Sequence, residues 1–240
     1  KRREFETAIL EYLDVSVKRV NVRVVKKTNK LHRVHNIADT HIGADIEKEH
    51  LLPEYNIEVV KKRLSEVANK INAENNAKNT ICFLGDFIES FTGLNHPNSW
   101  KGIDKRYGYG TKATIMACEI VTEFLEQVDN VHEVLLVAGN HDRVTSSNKE
   151  DTDGEIIYWI HYILKQKFEK AFPIDYTTDV IMRVIDNICY IWTHGHLSIS
   201  KRSTSDIINM YGDPRYFCVV LQGHFHCRQI KDDTINYRFL

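Results

Sequence analysis

The stretch Ile81-Cys82-Phe83-Leu84-Gly85-Asp86 decides the fold, because it joins an apolar run directly to a glycine and a carboxylate. Four apolar residues bounded by a turn residue are typical of a buried β-strand. A glycine after such a run allows the tight turn that lifts the next residue out of the sheet. The pattern therefore predicts that Asp86 lies at the carboxyl end of a strand, where functional residues of α/β domains gather.

Four more polar clusters also follow short apolar runs. They are Asp39-Thr40-His41, Gly139-Asn140-His141-Asp142, Thr193-His194-Gly195-His196 and Gly223-His224-Phe225-His226. Each cluster sits where a strand would end, and together they offer imidazole, carboxylate and amide groups. That mixture of ligands suits borderline divalent metals.

The segments between these strands are predicted to be helical. Residues 54–73, 111–128 and 155–168 carry apolar residues at helical spacing. Strands that alternate with helices in this way predict an α/β layered domain. Residues 1–30 are expected to hold a lead-in helix (4–13) and strand (20–24), ahead of the main domain at 31–240. The chain starts at a lysine and ends within an apolar alternation at 234–240. We therefore expect a piece of a longer protein, with the domain cut near its C-terminal end.

The composition is that of a globular protein, with 240 residues, 42% of them hydrophobic and 27% charged. No apolar stretch approaches the roughly 20 residues that cross a bilayer, and the polar start does not resemble a secretory signal. Five scattered cysteines favour reduced thiols. We expect a cytoplasmic protein without a membrane partner. A net charge of −1 gives no general basic signature for nucleic acid, although bound metal ions would add positive charge locally.

Taken in order, the five clusters resemble the calcineurin-like metallophosphoesterase superfamily, and the resemblance spans Asp39 to His226. It implies a four-layer αββα sandwich in which helices flank two mixed sheets. It also implies two divalent metal ions and hydrolysis of a phosphodiester bond by a hydroxide that bridges them. Manganese is the metal favoured by the resemblance, with zinc, iron or nickel as alternatives.

The resemblance also implies a role for each residue of the clusters. The expected ligands are Asp39, His41 and His226 for the first metal, Asn140, His194 and His224 for the second, and Asp86 as the bridge. The expected catalytic group is His141, with Asp142 and Glu89. His141 would face the substrate and protonate the leaving oxygen. Glu89 lies three residues after Asp86, an offset at which related protein phosphatases place an acid that orients the equivalent of His141. The alternative is a solvated loop acid.

The residues around the clusters indicate a branch of the superfamily. Protein phosphatases follow their Gly-Asp with Asp-Arg-Gly, whereas Phe87-Ile88-Glu89-Ser90 lacks the arginine. The opening Ala38-Asp39-Thr40-His41-Ile42-Gly43 resembles the nuclease subunits of double-strand-break repair complexes and their phage relatives. That likeness implies DNA as the substrate, and an ATPase partner or a homodimer.

Residues 91–110 form a long polar and aromatic insertion just after Asp86. Basic groups between aromatics suit a nucleic-acid strand, although a cap that packs its own aromatics is an equal alternative. The residues expected to bind substrate are Trp100, Lys101, Arg106, Arg143 and His196.

Three hypotheses of function remain. The first is a metal-dependent DNA nuclease. The second is a small-molecule phosphoesterase, either a cyclic nucleotide phosphodiesterase or a phosphomonoesterase. The third is a non-catalytic scaffold, against which the complete set of expected ligands argues.

Overall fold

Two β-sheets frame the part of the chain that the computed structural model describes, namely residues 31–46, 54–73, 77–93, 102–145, 154–196, 199–226, 232–233 and 237–239. The lead-in helix and strand predicted within residues 1–30, together with Trp100 and Lys101, lie outside these residues. Of the predicted alternation at 234–240, residues 237–239 are described and form a strand.

The first sheet is entirely parallel. Its strands lie side by side in the order β1 (His32–Ile37), β2 (Lys78–Leu84), β3 (Val131–Val137) and β4 (Ile174–Thr177). In the register of this sheet, Ile37 pairs with Phe83, and Leu84 pairs with Val137. The carboxyl ends of β1, β2 and β3 are therefore neighbours, and the first three polar clusters leave the sheet from one edge.

The second sheet is mixed. It contains β5 (Val180–Ile185), β6 (Ile188–Thr193), β7 (Phe217–Gln222), β8 (Asp232–Asp233) and β9 (Tyr237–Phe239), in the spatial order β5-β6-β7-β9-β8. The pairs β5–β6 and β8–β9 are antiparallel, whereas β6–β7 and β7–β9 are parallel. Thr193 pairs with Gln222, so the last two polar clusters also begin side by side.

Four helices accompany the sheets in the described residues. They are α1 (Ile57–Ala73), α2 (Gly110–Gln127), α3 (Glu155–Phe168) and α4 (Thr204–Tyr211), and a short 3-10 turn covers Ile199–Lys201. The first three agree with the predicted helices, whereas α4 was not predicted. Its start is fixed by a capping box, in which the Ser203 hydroxyl accepts from the Asp206 amide at 3.1 Å and the Asp206 carboxylate accepts from the Ser203 amide at 3.1 Å.

Successive side chains of a strand point to opposite faces of the sheet, so the first sheet contributes to a different buried cluster on each face. Phe83 points to one face of the first sheet and packs with Phe124 of α2, while Leu84 points to the other face. There Leu84 shares a buried cluster with Trp192 and Leu221 of the second sheet. The central strands β2 and β3 are covered on both faces, which accounts for the continuous apolar runs at their carboxyl ends.

The far face of the second sheet is covered by α4, where Ile191 and Val220 pack with Ile207. The two sheets are also joined by polar contacts, since the indole Nε1 of Trp192 donates to Asn36 Oδ1 at 2.8 Å. The architecture is thus an α/β fold with two sheets flanked by helices, as predicted. Among the described residues, no helix has the length and apolar character required to span a membrane.

Candidate metal centre

The loops after β1 and β2 are joined by backbone hydrogen bonds that bring the first two clusters together. The amide of Asp39 donates to the Gly85 carbonyl at 3.2 Å, and the amide of His41 donates to the Asp86 carbonyl at 2.9 Å. The amide of Ile42 continues the pattern to the Phe87 carbonyl at 2.8 Å. Both loops are therefore fixed in register before any ligand binds.

The backbone at the clusters is held in an unusual conformation. Five of the residues predicted to be ligands have a positive φ, namely Asp39 (54°), His41 (40°), Asp86 (52°), His224 (69°) and His226 (48°). The other non-glycine residues with positive φ in the described part of the chain are Asn130, Asp186 and Asn187. A left-handed non-glycine residue costs on the order of 1–3 kcal/mol, and such strain concentrates at functional sites. The conformation therefore points to function at these strand ends.

Two glycines make room for this arrangement. A Cβ on Gly139 would lie 2.1 Å from the Asp86 carboxylate, and a Cβ on Gly85 would lie 2.6 Å from the Nδ1 atom of His194. Any side chain at either position would displace a group of the site.

A first set of ligand atoms comes from Asp39, His41, Asp86 and His226, and these atoms lie within 4.8 Å of one another. The Nε2 atoms of His41 and His226 are 3.1 Å apart. The same nitrogen of His226 is 3.4 Å from Asp39 Oδ1, and that of His41 is 3.7 Å from Asp86 Oδ2. His226 is the outermost member, with 58% of its side chain exposed.

A second set comes from Asp86, His194 and His224, again within 4.8 Å. The Nδ1 atom of His194 donates to the Leu84 carbonyl at 2.6 Å, so Nε2 carries the lone pair of the neutral ring. That Nε2 atom lies 3.1 Å from Asp86 Oδ2 and 3.0 Å from Asn140 Oδ1. Asn140, which was predicted as a ligand of the second metal, thus lies at this set.

Asp86 belongs to both sets, and its carboxylate is 1% exposed. Its Oδ1 atom accepts a hydrogen bond from the His141 amide at 2.8 Å. Burial alone would raise the pKa of this carboxyl. The contact with His194 and the nearby His141 and His41 outweigh that effect and hold the pKa well below its usual range. Asp86 is therefore an anion at neutral pH.

Both sets of ligand atoms are suited to bind a cation. In each set, imidazole nitrogens and carboxylate or amide oxygens converge, and a positive charge between them would offset the repulsion among their lone pairs. The donor types, nitrogen mixed with oxygen, are those that borderline divalent metals prefer. The geometry accommodates the two divalent ions that the sequence led us to expect.

The remaining atoms of His41 and His141 meet Glu89. The His141 Nδ1 atom donates to the Glu89 main-chain carbonyl at 2.5 Å. The Glu89 carboxylate lies elsewhere, with Oε2 2.9 Å from His41 Nδ1 and 4.0 Å from His141 Nδ1. Burial lowers the pKa of His41, but the carboxylates of Glu89, Asp86 and Asp39 outweigh it and raise the pKa.

Asp142 was expected to be catalytic, and its contacts favour a different role. Its Oδ1 atom accepts from the amide of Phe87 at 2.9 Å and of Ile88 at 3.4 Å, and Oδ2 accepts from the amide of Gly139 at 2.8 Å. Burial and the nearby Asp86 raise the pKa of this carboxyl to about 6. Because both oxygens are occupied by backbone amides, Asp142 fastens the loop after β2 to the loop after β3.

The residues expected to bind substrate are placed differently from one another. His196 is buried, its Nε2 atom has no hydrogen-bond partner among the described residues, and its ring lies 5.1 Å from that of His194. Burial and the nearby His194 and Arg143 lower the pKa of His196 to about 4. Arg106 lies in the insertion with 77% of its side chain exposed.

The sequence did not identify two residues at the edge of the site. Tyr55 donates its hydroxyl to the Thr40 carbonyl at 2.6 Å and so fixes the first loop from outside the clusters. No local pattern marks such a long-range contact. Phe225 lies 48% exposed against the ring of His224, and its position inside a Gly-His-x-His cluster was the available signal.

Comparison with solved structures shows weak likenesses, two of them to structures of one enzyme. They are the arginine decarboxylase of Paramecium bursaria Chlorella virus, with 13% identity and a TM-score of 0.23, and its complex with agmatine, with 12% identity and a TM-score of 0.22. The alignments cover 67% and 68% of this chain but 40% and 41% of the decarboxylase chains. At these scores the likeness carries no argument about fold or function. Comparison with curated proteins gives no match.

The family comparison is informative. The model of the calcineurin-like phosphoesterases matches residues 32–228, which include all five clusters and most of the chain. The match begins at β1 and ends just after His226, so it covers both sheets up to the last predicted ligand. The chain therefore belongs to the calcineurin-like phosphoesterase family, whose members are metal-dependent hydrolases.

Proposed function

We propose that this protein hydrolyses phosphodiester bonds with two divalent metal ions and that its substrate is DNA. The observation that carries the two-ion part is the sharing of Asp86 between two sets of converging ligand atoms. The Oδ2 atom of Asp86 lies 3.7 Å from His41 Nε2 and 3.1 Å from His194 Nε2, so this carboxylate oxygen would contact both ions of a pair about 3.5–4 Å apart. We also propose the four-layer αββα order for the domain.

In this proposal Asp39, His41 and His226 hold one ion, Asn140, His194 and His224 hold the other, and Asp86 contacts both. Two such ions would offset the charge of the phosphate and activate a water molecule near neutral pH. Manganese is the proposed metal because the resemblance to the superfamily favours it, and the mixture of imidazole, carboxylate and amide ligands is also compatible with zinc, iron or nickel.

His141 is the proposed general acid. Its Nδ1 atom donates to the Glu89 carbonyl, which orients the ring, and its backbone amide donates to Asp86, which fixes the main chain. The Nε2 atom is then the one able to meet a substrate oxygen. In the imidazolium form, with the Nδ1 proton held by the Glu89 carbonyl, His141 would give its Nε2 proton to the leaving oxygen and become the neutral ring, a step that would contribute about 10²–10⁴-fold to the rate.

The DNA part of the proposal is supported by the opening motif and by the described part of the insertion. Residues 102–109 are tied to the loop after His41. The Asp104 amide donates to the Gly43 carbonyl at 2.8 Å, and Gly108 lies so close that a Cβ on Gly43 would be 2.8 Å from its carbonyl oxygen. From this segment Arg106 and Tyr109 project into solvent. A cation beside exposed aromatic rings suits a single-stranded nucleic acid.

A cytoplasmic location, and an ATPase partner or a homodimer of the kind that repair nucleases use, belong to the same proposal and remain predictions.

The test is manganese-dependent cleavage of linear and circular DNA, single- and double-stranded, with bis-(p-nitrophenyl) phosphate as a small diester and His141→Ala as the control. DNA cleavage that is lost in His141→Ala supports the nuclease, and cleavage of circles shows whether ends are needed. Turnover of the small diester without DNA cleavage would exclude the nuclease and favour the small-molecule phosphoesterase. No turnover of any substrate would contradict both.

A further inference from the structure

Glu89 contacts both His41, a proposed metal ligand, and His141, the proposed general acid. Its own backbone is fixed, because its amide donates to the Ile42 carbonyl at 3.0 Å. Its side chain is 16% exposed, and the ligand atoms of His41, Glu89 and His141 lie within 4.8 Å of one another. Glu89 can therefore act on either ring, and the question is which of its groups acts on which.

The contact with His141 is made by the main chain. The Nδ1 atom of His141 lies 2.5 Å from the Glu89 carbonyl oxygen and 4.0 Å from the carboxylate. A ring nitrogen carries one proton, and the shorter contact takes it. A change of the Glu89 side chain would leave this hydrogen bond in place.

The contact with His41 is made by the carboxylate. Oε2 lies 2.9 Å from the Nδ1 atom of His41, which has no other hydrogen-bond partner in the described residues. The two atoms are close enough for an ion pair, although the contact does not meet the geometry of a hydrogen bond. A proton held at Nδ1 leaves the lone pair at Nε2, which is the atom that faces His226 and Asp86.

We propose that the Glu89 carboxylate is a positioning residue for the metal ligand His41, and that Glu89 serves His141 through its main chain alone. This inference rests on the proposed function. It differs from the arrangement expected from the protein phosphatases, in which the acid at this offset orients the catalytic histidine. A carboxylate behind a metal-bound histidine fixes its tautomer and increases its basicity, and removal of such a partner typically weakens metal binding 10–100-fold.

The experiment uses the whole chain and the variants Glu89→Ala, Glu89→Gln and His141→Ala. Manganese binding is measured by isothermal titration calorimetry, and turnover of bis-(p-nitrophenyl) phosphate is measured against manganese concentration. In Glu89→Ala we expect manganese affinity to fall about 10–100-fold at one site, and the manganese concentration that gives half-maximal turnover to rise by a similar factor, while kcat at saturating manganese falls far less than in His141→Ala. Glu89→Gln keeps an oxygen that can accept from Nδ1, so it should recover part of the affinity. His141→Ala should show the opposite split, with normal binding and low kcat.

Two outcomes would overturn the inference. One is normal manganese affinity in Glu89→Ala with kcat as low as in His141→Ala, which would mean that the carboxylate serves His141. The other is a variant that matches wild type in both measurements. A wild-type chain that binds manganese and turns over the diester supports the metal-dependent phosphodiesterase part of the proposed function whatever Glu89→Ala does, so the two failures are distinct. If Glu89→Ala does not fold by circular dichroism, Glu89→Leu replaces it, because leucine keeps most of the volume and cannot accept from Nδ1: unchanged manganese affinity there contradicts the inference.

Discussion

Residues with a left-handed backbone occur in two regions of this molecule, at chain reversals and at the strand ends of the candidate metal centre, and the physical cause differs between the two. Asp186 and Asn187 form the two-residue turn between β5 and β6, and Asn130 immediately precedes β3. These are chain reversals, and Asn and Asp tolerate the left-handed region better than most residues. At the strand ends, by contrast, three of the five left-handed residues are histidines, and their rings converge on carboxylates.

The difference shows what the backbone strain is used for. In the β5–β6 turn a glycine could replace either residue, because a two-residue hairpin turn requires positive φ and no particular side chain. At the strand ends a glycine would relieve the strain but remove a ligand. We infer that strain persists there because the side chain is required, and the following predictions test this contrast from the largest effect to the smallest.

Asp86→Asn should have the largest effect. The variant keeps the volume and the tolerance for positive φ but removes the charge that both sets of ligands share. Loss of metal would remove several kcal/mol of transition-state stabilisation, which corresponds to about 10³-fold or more in kcat/KM. Kinetics with bis-(p-nitrophenyl) phosphate and manganese calorimetry would measure it. Near-normal turnover would show that the shared carboxylate is not needed.

His141→Ala should come next. The ring is held by the Glu89 carbonyl but belongs to neither of the two sets built around Asp86. We expect kcat to fall by about 10²–10⁴-fold while manganese affinity stays as in wild type. A parallel loss of manganese binding would place His141 among the ligands instead.

Asp142→Ala should act on stability more than on chemistry. It removes the acceptor of three buried backbone amides, and each unsatisfied donor costs about 1–3 kcal/mol. We expect the free energy of unfolding to fall by about 2–4 kcal/mol because the donors relax in part. Urea denaturation would measure the change. Glu66→Ala on the exposed face of α1 is the matched control, expected within about 0.5 kcal/mol of wild type. An Asp142→Ala chain as stable as the control, yet inactive, would restore the catalytic role.

Asn187→Gly should have the smallest effect. Its φ of 65° suits glycine, and Asp-Gly is a preferred pair in such hairpins. We expect the free energy of unfolding to stay within about 1 kcal/mol of wild type, because relief of the left-handed conformation is offset by the greater entropy of glycine in the unfolded chain, with unchanged kcat. A thermal melt and one activity measurement suffice. A loss of activity would show that the turn, too, is under a functional constraint.

Many of the strands and helices could be predicted because local sequence patterns indicate them. The apolar runs at 81–84, 188–192 and 217–221 lie within β2, β6 and β7, and the predicted helix at 155–168 coincides with α3. Helix α4 was missed even though its capping box at Ser203 and Asp206 is visible in the sequence. The hairpin of β5 and β6 was predicted only in its second half, although the first strand is rich in valine and isoleucine, which favour strands.

The site was predicted less completely than the strands and helices. A pattern along the chain can place Glu89 near His141, but it cannot say that the carboxylate turns to His41, since that depends on how the two loops pack. For the same reason it cannot show that both oxygens of Asp142 accept from amides of two loops, and the catalytic role of Asp142 stays a prediction.

The most direct test of the account is a calorimetric titration of the wild-type chain with manganese, alongside Asp86→Asn and Asn187→Gly. The account predicts two manganese ions per wild-type chain, two per Asn187→Gly chain, and loss of both in Asp86→Asn. A wild-type chain that binds no manganese, or an Asp86→Asn chain that binds it as wild type does, would contradict the claim that the strained strand ends are held for metal.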